Sequence, residues 1–534
     1  MRTRLTYALA LLAASSIASA DVFVVDSSGQ GDFTDIQAAV DAANSNDALI
    51  VRPGTYSGFQ VQGEGLKILG SNQGATIEGT VQISSSAGTV VILSNLRILN
   101  GFQGALIVGG DGDVRIQSCT LVGNSYSAVP KPGLRASSAA SVLCTNTVIT
   151  GRDGPYEGSG GLACWVSNSS VAFHSCTIEG GDGYDQGTSF PVQSGHGGSG
   201  MRVELSAFVY VTDSVIRGGD GGDYDAWDLP GFGGDGGHGV EIYGSAVHMQ
   251  GGSPIGGAAG QSSNGFPGSN GSGILGIGYV PVAGQPRTVS FDRHWSAGIE
   301  QRAVFRGQSG DSVYMVRGNT RDFDYQVGLG GVWTIDSPNP PGDFIGTIGA
   351  SGALVAELDS GALSGTQTVK TVFQQAYFVS SGGNAYLGTP DGTVLLALCD
   401  ANTFCDAAPN STGSGAQIGY AGGGSLSAND LVLTVNQAIP GQAGIFYYGG
   451  DPVQIPFGDG MRCVGDGLFR LPVVFANGNG SVNFPVDNQL APMNAGAGAL
   501  DPGTTWYFQF WYRDPVAGGS GFSLSDGLRM SFCH

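Results

Sequence analysis

GLACWVSNSSVAFHSCTIEGG, residues 161–181, is the stretch on which the fold turns. It opens on glycine and a short apolar strand, turns at small residues and gives a V-x-[IFV]-like strand. A second turn then leads to a C/S/T-x-[IV]-like strand that ends at glycine. The same order of parts recurs in GALIVGGDGDVRIQSCTLVGN (104–124), GLRASSAASVLCTNTVITG (133–151) and GMRVELSAFVYVTDSVIRGG (200–219), with a weaker copy in GVEIYGSAVHMQGG (239–252). The copies start 29, 28, 39 and 39 residues apart, a coil plus insertions. Three short strands per unit, repeated at a near-fixed period, are the signature of a β-solenoid, in which each coil pairs its backbone with both neighbours at about 4.8 Å.

The insertions account for the longer intervals. All follow the last strand of a unit: 180–199, 218–238 and 251–272. Insertions at one position of a solenoid emerge on one face, so these three loops are expected side by side. Two carry a GGxGxDx string, GGDGYDQ (180–186) and GGDGGDY (218–224), which in other proteins bends around calcium. The loops bring Asp182, Asp185, Asp220, Asp223, Asp225, Asp228 and Asp235 into one region with Tyr184, His196, Trp227 and His238. Hard oxygen donors suit calcium, which takes 6–8 of them, so Asp182, Asp185, Asp220 and Asp223 are the candidate metal ligands. Tyr184, His196, Trp227 and His238 are the candidate substrate contacts. The plainer reading is turn chemistry, since Gly and Asp both populate the conformations wide turns need. It is favoured because each GGxGxDx copy stands alone in its coil and the third loop holds no Asp.

Composition bounds the partners. Only 12% of residues are charged, with 43 acidic against 22 basic and a formal net charge of −21. Such a chain repels phosphates, which argues against nucleic acid and towards divalent cations, a polysaccharide or an envelope component. Of the acids 35 are Asp and 8 are Glu, and with 93 Gly this predicts strands and turns and almost no helix. Residues 1–20, MRTRLTYALALLAASSIASA, read as a signal peptide cleaved after Ala20, so a secreted or surface location is expected. No later segment reaches the about 18 consecutive apolar residues of a membrane helix.

Residues 21–59 give a short strand (Val22–Val25), a helix on which Ile36, Ala39, Val40 and Ala43 repeat, a strand (Ala48–Val51) and a Pro53-Gly54-Thr55-Tyr56 turn. Thr34 through Gln37 fits a capping box. This stretch resembles the N-terminal cap of right-handed parallel β-helix proteins of the pectin-lyase-like type. A cap is needed because the first coil otherwise leaves an apolar end open to water. The expected fold is all-β: a capped right-handed single-stranded parallel β-helix over 21–287, a β-sandwich over 288–398 and a second one over 399–534. The last resembles a tail module found after repeat regions in exported bacterial proteins, which implies a surface or extracellular setting and no reaction.

Fold does not decide function. Gly-Thr-Tyr-Ser-Gly (54–58) lacks the acid that pectin esterases carry after the Tyr, and their downstream motifs are missing. Polygalacturonases use NTD, DD, GHG and RIK. Gly195-His196-Gly197 and Gly237-His238-Gly239 supply GHG, but Asn146-Thr147 is followed by Val and there is no DD. Pectate lyases need an Arg base, and only Arg202 and Arg217 are near. The catalytic residues are therefore unassigned. The leading reading is a non-enzymatic scaffold for adhesion or glycan contact. The alternative is an enzyme degrading acidic polysaccharides, a lyase or glycosidase, at the 180–238 face.

Eight cysteines divide into two sets. Cys119 and Cys176 align at one inward position with Thr147 between them, about 10 Å apart and too far for a bridge. Cys144 aligns with Ile116 and Phe173, and Cys164 with Ile107 and Val203, so all four read as small buried hydrophobes. Cys399, Cys405, Cys463 and Cys533 are candidate disulfide partners. Of the three possible pairings, 399–405 with 463–533 is favoured because it ties the final strand to the body.

Overall fold

The computed structural model describes residues 20–532 except 30–31, 71–74, 125–130, 155–157, 186–192, 226–229, 292–299, 337–341, 360–362, 364–367, 397–400, 425, 427–428, 466, 495, 501–503 and 517–518. Trp227, Asp228, Cys399, Cys533 and the signal segment up to Ser19 therefore lie outside the described residues.

The chain opens as a right-handed parallel β-helix. Each coil contributes three strands, and strands of successive coils pair in parallel. One coil runs Cys164–Ser167, Ser170–His174 and Thr177–Glu179, and its partners in the next coil are Met201–Glu204, Phe208–Thr212 and Val215–Arg217. The third strands form a seven-stranded sheet of their own from Gly54–Ser57 to Val215–Arg217. Alternate residues turn inward and fill the coil with Val, Ile, Leu and Cys. Between the second and third strands the chain turns through one left-handed residue in five successive coils: Asn95, Ser118, Asn146, Ser175 and Asp213 all have φ between 49° and 55°. Asn, Asp and Ser tolerate that conformation because their short side chains bond locally, so the corner is built into the sequence at a fixed place.

The cap is as expected, with one shift. The helix is Ile36–Ala42 and its N-cap is Asp35, whose carboxylate accepts from the amides of Gln37 and Ala38. Thr34 is not the cap, and Gln37 instead reaches Asp41 and the Gln60 backbone. Ile36, Ala39 and Val40 close the first coil.

Within the β-helix Cys119, Cys144, Cys164 and Cys176 are free and buried. Ile116, Cys144 and Phe173 form one file, as aligned. Cys164 sits beside Leu134 and Met201, one place from Ile107 and two from Val203, the neighbours expected of it. Burial pushes the Cys119 and Cys176 thiols up to about 12, so they stay protonated and unreactive.

Residues 288–396 fold into two antiparallel sheets, one of three strands and one of five, around Phe291, Phe305, Met315 and Phe378. This sandwich leans on the β-helix. Val369, Val394 and Leu396 pack on Ala48, Leu69 and Ile92 at one end, and Val332 and Tyr325 pack on Leu143, Ala172 and Tyr210 at the other. The outward face of the second strands is thus covered.

The tail sandwich pairs a five-stranded sheet with a three-stranded one. Phe508, Phe510 and Tyr512 of Thr505–Arg513 enter its core. Trp511, on the other face, packs against Phe522. The one disulfide among the described residues is Cys405–Cys463, with Cα atoms 6.1 Å apart. It replaces the expected 399–405 and 463–533 pairings, because Gly460–Gly465 lies beside the last strand, whose partner Ala401–Phe404 runs directly into Cys405. Cys463→Ser should destabilise the tail by about 4 kcal/mol, since the bridge closes a 58-residue separation in the unfolded chain. The lowered urea midpoint of the tail transition would match wild type under reducing agent.

Candidate functional site

The three loops are a hydrogen-bonded slab. Each leaves the third side of its coil, a strand in the first two and the Arg217–Ile255 bridge in the last, along an outgoing segment and comes back along a returning one. All outgoing segments stack in one row while all returning segments stack in another. GGDGGDY shows the rule. The amides of Gly218, Gly221 and Tyr224 donate to the carbonyls of Ile255, Ala258 and Gln261 in the next coil. Gly219 and Gly222 donate across to Gly198 and Gly195 in the returning row. Asp220 and Asp223 donate to the carboxylates of Asp182 and Asp185 in the coil before, at 2.7 and 2.8 Å. Seven successive amides thus bond in turn to three neighbouring segments. The period of three is that of an extended polyproline-II-type helix.

This geometry dictates the composition. Two residues in three face neighbouring segments, and a Cβ on Gly219 or Gly237 would overlap the carbonyl oxygen of Gly181 or Gly198. Only the third position points outward, and there a side chain that reaches the outward amide of the next coil is favoured. Asp153 accepts from the Asp182 amide, Asp182 from Asp220, and Asp220 from Ala258, at 3.0, 2.7 and 2.8 Å. The returning row works alike: His196 Nδ1 accepts from the Asp235 amide at 3.0 Å, Asp235 from Ser269 at 2.7 Å, and His238 Nδ1 from Ser272 at 3.0 Å. An accepting Nδ1 carries no proton. The last loop has no Asp because no further coil stands beyond it whose amides need an acceptor. Its edge is closed instead by Asn270, whose side chain accepts from the Ala259 amide at 2.8 Å, and by Pro267, placed where an amide would point outward.

The candidate metal ligands therefore form two files, Asp182–Asp220 and Asp185–Asp223. Three residues of such a segment span about 9 Å, against about 5 Å across a calcium site. Among the described residues no three His, Cys, Asp or Glu side chains gather as metal ligands. Asp220 also receives Arg217 at 2.8 and 2.9 Å. His196 and His238 lie on the returning face, Tyr184 and the Asp files on the outgoing side, so the candidate contacts do not converge. Asp220→Ala should cost about 1 kcal/mol by orphaning the Ala258 amide, whereas Asp220→Asn, which keeps an acceptor, should cost less, as read from urea unfolding.

Two features escaped the sequence reading. One is a surface network on the first strands: Glu241, 6% exposed, accepts from Ser199 and Arg202 and, at 3.2 Å, from Tyr243, while Trp165 donates to Glu204 at 3.0 Å and lies under Arg135. Burial, with Glu241 alongside, raises the Tyr243 hydroxyl. The other is a groove in the corner between the third strands and the outgoing row, lined by Thr150, Glu179 and Arg217 on one side and Asp153, Asp182 and Asp220 on the other. The residues just before each Gly-Gly were the available signal.

No family model matches the chain, and no curated protein sequence matches it. Among solved structures it is similar to pectate lyase Pel9A, with 13% identity over 48% of this chain and 79% of that one and a TM-score of 0.28. It is also similar to the tetra-tandem repeat in the extending region of a large adhesion protein, with 11% identity over 45% and 48% of the two chains and a TM-score of 0.14. A third similar structure is the enzymatically active domain of bacteriophage CBA120 tailspike protein 2, with 10% identity over 93% and 79% and a TM-score of 0.22.

Proposed function

We propose that this chain is an exported, non-enzymatic β-helix scaffold whose glycine slab is a rigid fin for contact with glycans at a surface. The observation that carries the reading is the bonding of every amide from Gly218 to Tyr224 into neighbouring segments. Loops held this way lose little entropy on binding, and their faces offer Asp, His and Ser side chains at fixed spacing. Pull-down of the full mature chain on a panel of insoluble polysaccharides tests it, with parallel assays for new reducing ends and for unsaturated uronates. Retention without product supports the scaffold, and turnover sinks it.

In this reading the GGxGxDx carboxylates serve as amide acceptors rather than calcium ligands. The melting temperature of the full chain should then be the same in EDTA and in millimolar calcium. A rise with calcium that Asp182→Ala plus Asp220→Ala abolishes would instead make the slab a metal site.

A further inference from the structure

We infer that the corner groove is the ligand-binding channel of the fin, and that it takes an uncharged, hydroxyl-rich glycan chain lying along the solenoid axis. The inference rests on the glycan-contact reading and assigns it a place and a substrate class.

Both walls of the groove are described over four coils, and one wall extends to a fifth. One wall is the file Val122, Thr150, Glu179, Arg217 and Ile255, each paired with the next. The other wall is Asp153, Asp182, Asp220 and Ala258, tied by side-chain-to-amide bonds. Between them run Gly151, Gly180, Gly218 and Gly256, and Arg152 is the one side chain along a floor otherwise made of glycine. Two volumes, about 440 and about 570 Å³, adjoin at Arg217. Three intervals of about 4.8 Å make a two-walled channel of about 14 Å, which suits a linear polymer better than a small molecule.

The chemistry narrows the polymer. Asp153, Glu179, Asp182 and Asp220 outnumber Arg152 and Arg217, Arg217 is engaged by Asp220, and the chain carries −21 overall, so a polyuronate or a nucleic acid is repelled. A polycation would meet Arg152 and would have to break the Arg217–Asp220 pair. An extended peptide would need unpaired backbone amides, yet those of Gly151, Gly180 and Gly218 already donate within the slab. What the walls still offer is acceptor capacity: Asp153 and Asp182 each spend one oxygen on an amide and keep lone pairs for hydroxyl donors, while Asp220 shares its oxygens with Arg217 as well. Ring hydroxyls of an uncharged sugar chain meet that requirement at the coils of Asp153, Asp182 and Asp220.

The test uses the full mature chain and hexameric neutral glucan oligosaccharides, followed by calorimetry. Ala258→Trp and Thr150→Trp each place an indole in the groove. Ser269→Trp places one at an equally exposed position of the opposite face. The expected result is a tenfold or greater rise in Kd for each groove variant, a change under twofold for Ser269→Trp, and unchanged melting temperatures. Should Thr150→Trp fail to fold, Ala258→Trp at its open outward position suffices. If glucan binds wild type and both groove variants equally, the channel is wrong while glycan contact stands. Preference for polygalacturonate oligomers over neutral glucan overturns the charge argument. Absence of binding to any member of the polysaccharide panel removes both the inference and the reading beneath it.

Discussion

Replacing Gly219 and Gly237 together by alanine is expected to lower the free energy of unfolding by about 2–6 kcal/mol, from about 1–3 kcal/mol of overpacking at each site. Both stand in the file where the two rows meet, and each new methyl would press into a backbone carbonyl, which cannot rotate away as a side chain can. The sign is the informative part. In a loosely held loop, Gly→Ala stabilises by about 0.4–1 kcal/mol per site, because alanine restricts the unfolded chain. A slab with no room reverses that gain. Asp220→Glu and Ala258→Ser, at outward positions, should stay within about 0.5 kcal/mol. Urea unfolding followed by circular dichroism, with proteolysis at the loop tips as a second readout, separates the cases. Unchanged or raised stability in the double alanine variant would mean that the rows do not pack as described.

The same slab shows where sequence reasoning reaches and where it stops. The three-strand coil was legible because inward Val, Ile and Leu alternate with small polar residues, and the Ile116–Cys144–Phe173 file follows from aligning the copies. The position of the loops was legible too, since all three leave after the third strand. Their internal order was not. A Gly-Gly-x period is as compatible with wide turns as with stacked extended segments, and the role of Asp220 depends on an amide 38 residues away in the next coil. Only when the coil register is known does the lack of Asp in the third loop become a consequence of its being last. The disulfide failed for a related reason: four cysteines allow three pairings, and tertiary contact between strands distant in sequence decides among them.

Least legible was the cover over the second strands. Alternation marks Arg115, Gln117, Thr145, His174 and Tyr210 as outward-facing, and outward on a solenoid ordinarily means wet. Here residues 288–396 close over that face, and its middle is polar between two apolar ends. Gln117 donates to Asp391 at 3.2 Å, the Tyr210 hydroxyl donates to the Gly330 carbonyl at 2.7 Å, and the fully buried Arg115 lies 4.5 Å over the Phe373 ring while bonding Asp113. His174, 2% exposed, borders a small cavity with Thr145 and Asp391, and neither ring nitrogen has a hydrogen-bond partner among the described residues. A buried polar ring without partners makes this seam the weak line of an otherwise tightly packed body.

Acid should find that line. Burial pulls the His174 imidazole down to about 3, from an ordinary value of 6.5. The folded chain therefore holds it neutral while the unfolded chain takes up a proton as pH falls below 6.5. A depressed histidine gives full stability above its unfolded pKa, and that stability is lost as pH falls from 6.5 towards 3, by about 3 kcal/mol at pH 4.5. Other groups titrate as well. Asp26, held near 2 by Ser28 and Arg52, loses stability in the same direction further down, and burial lowers His248 beside the seam. The informative quantity is thus the difference between wild type and His174→Phe, which keeps a ring of similar shape and has no proton to gain. Urea midpoints should be similar at pH 7, whereas at pH 4.5 wild type should have lost about 3 kcal/mol more than the variant. Hydrogen exchange should show the loss first along 142–145, 171–174 and 389–394, where the cover meets the coils. Equal acid sensitivity in the two proteins would mean that water or an ion partners the ring, and the seam would then be no weaker than the rest of the molecule.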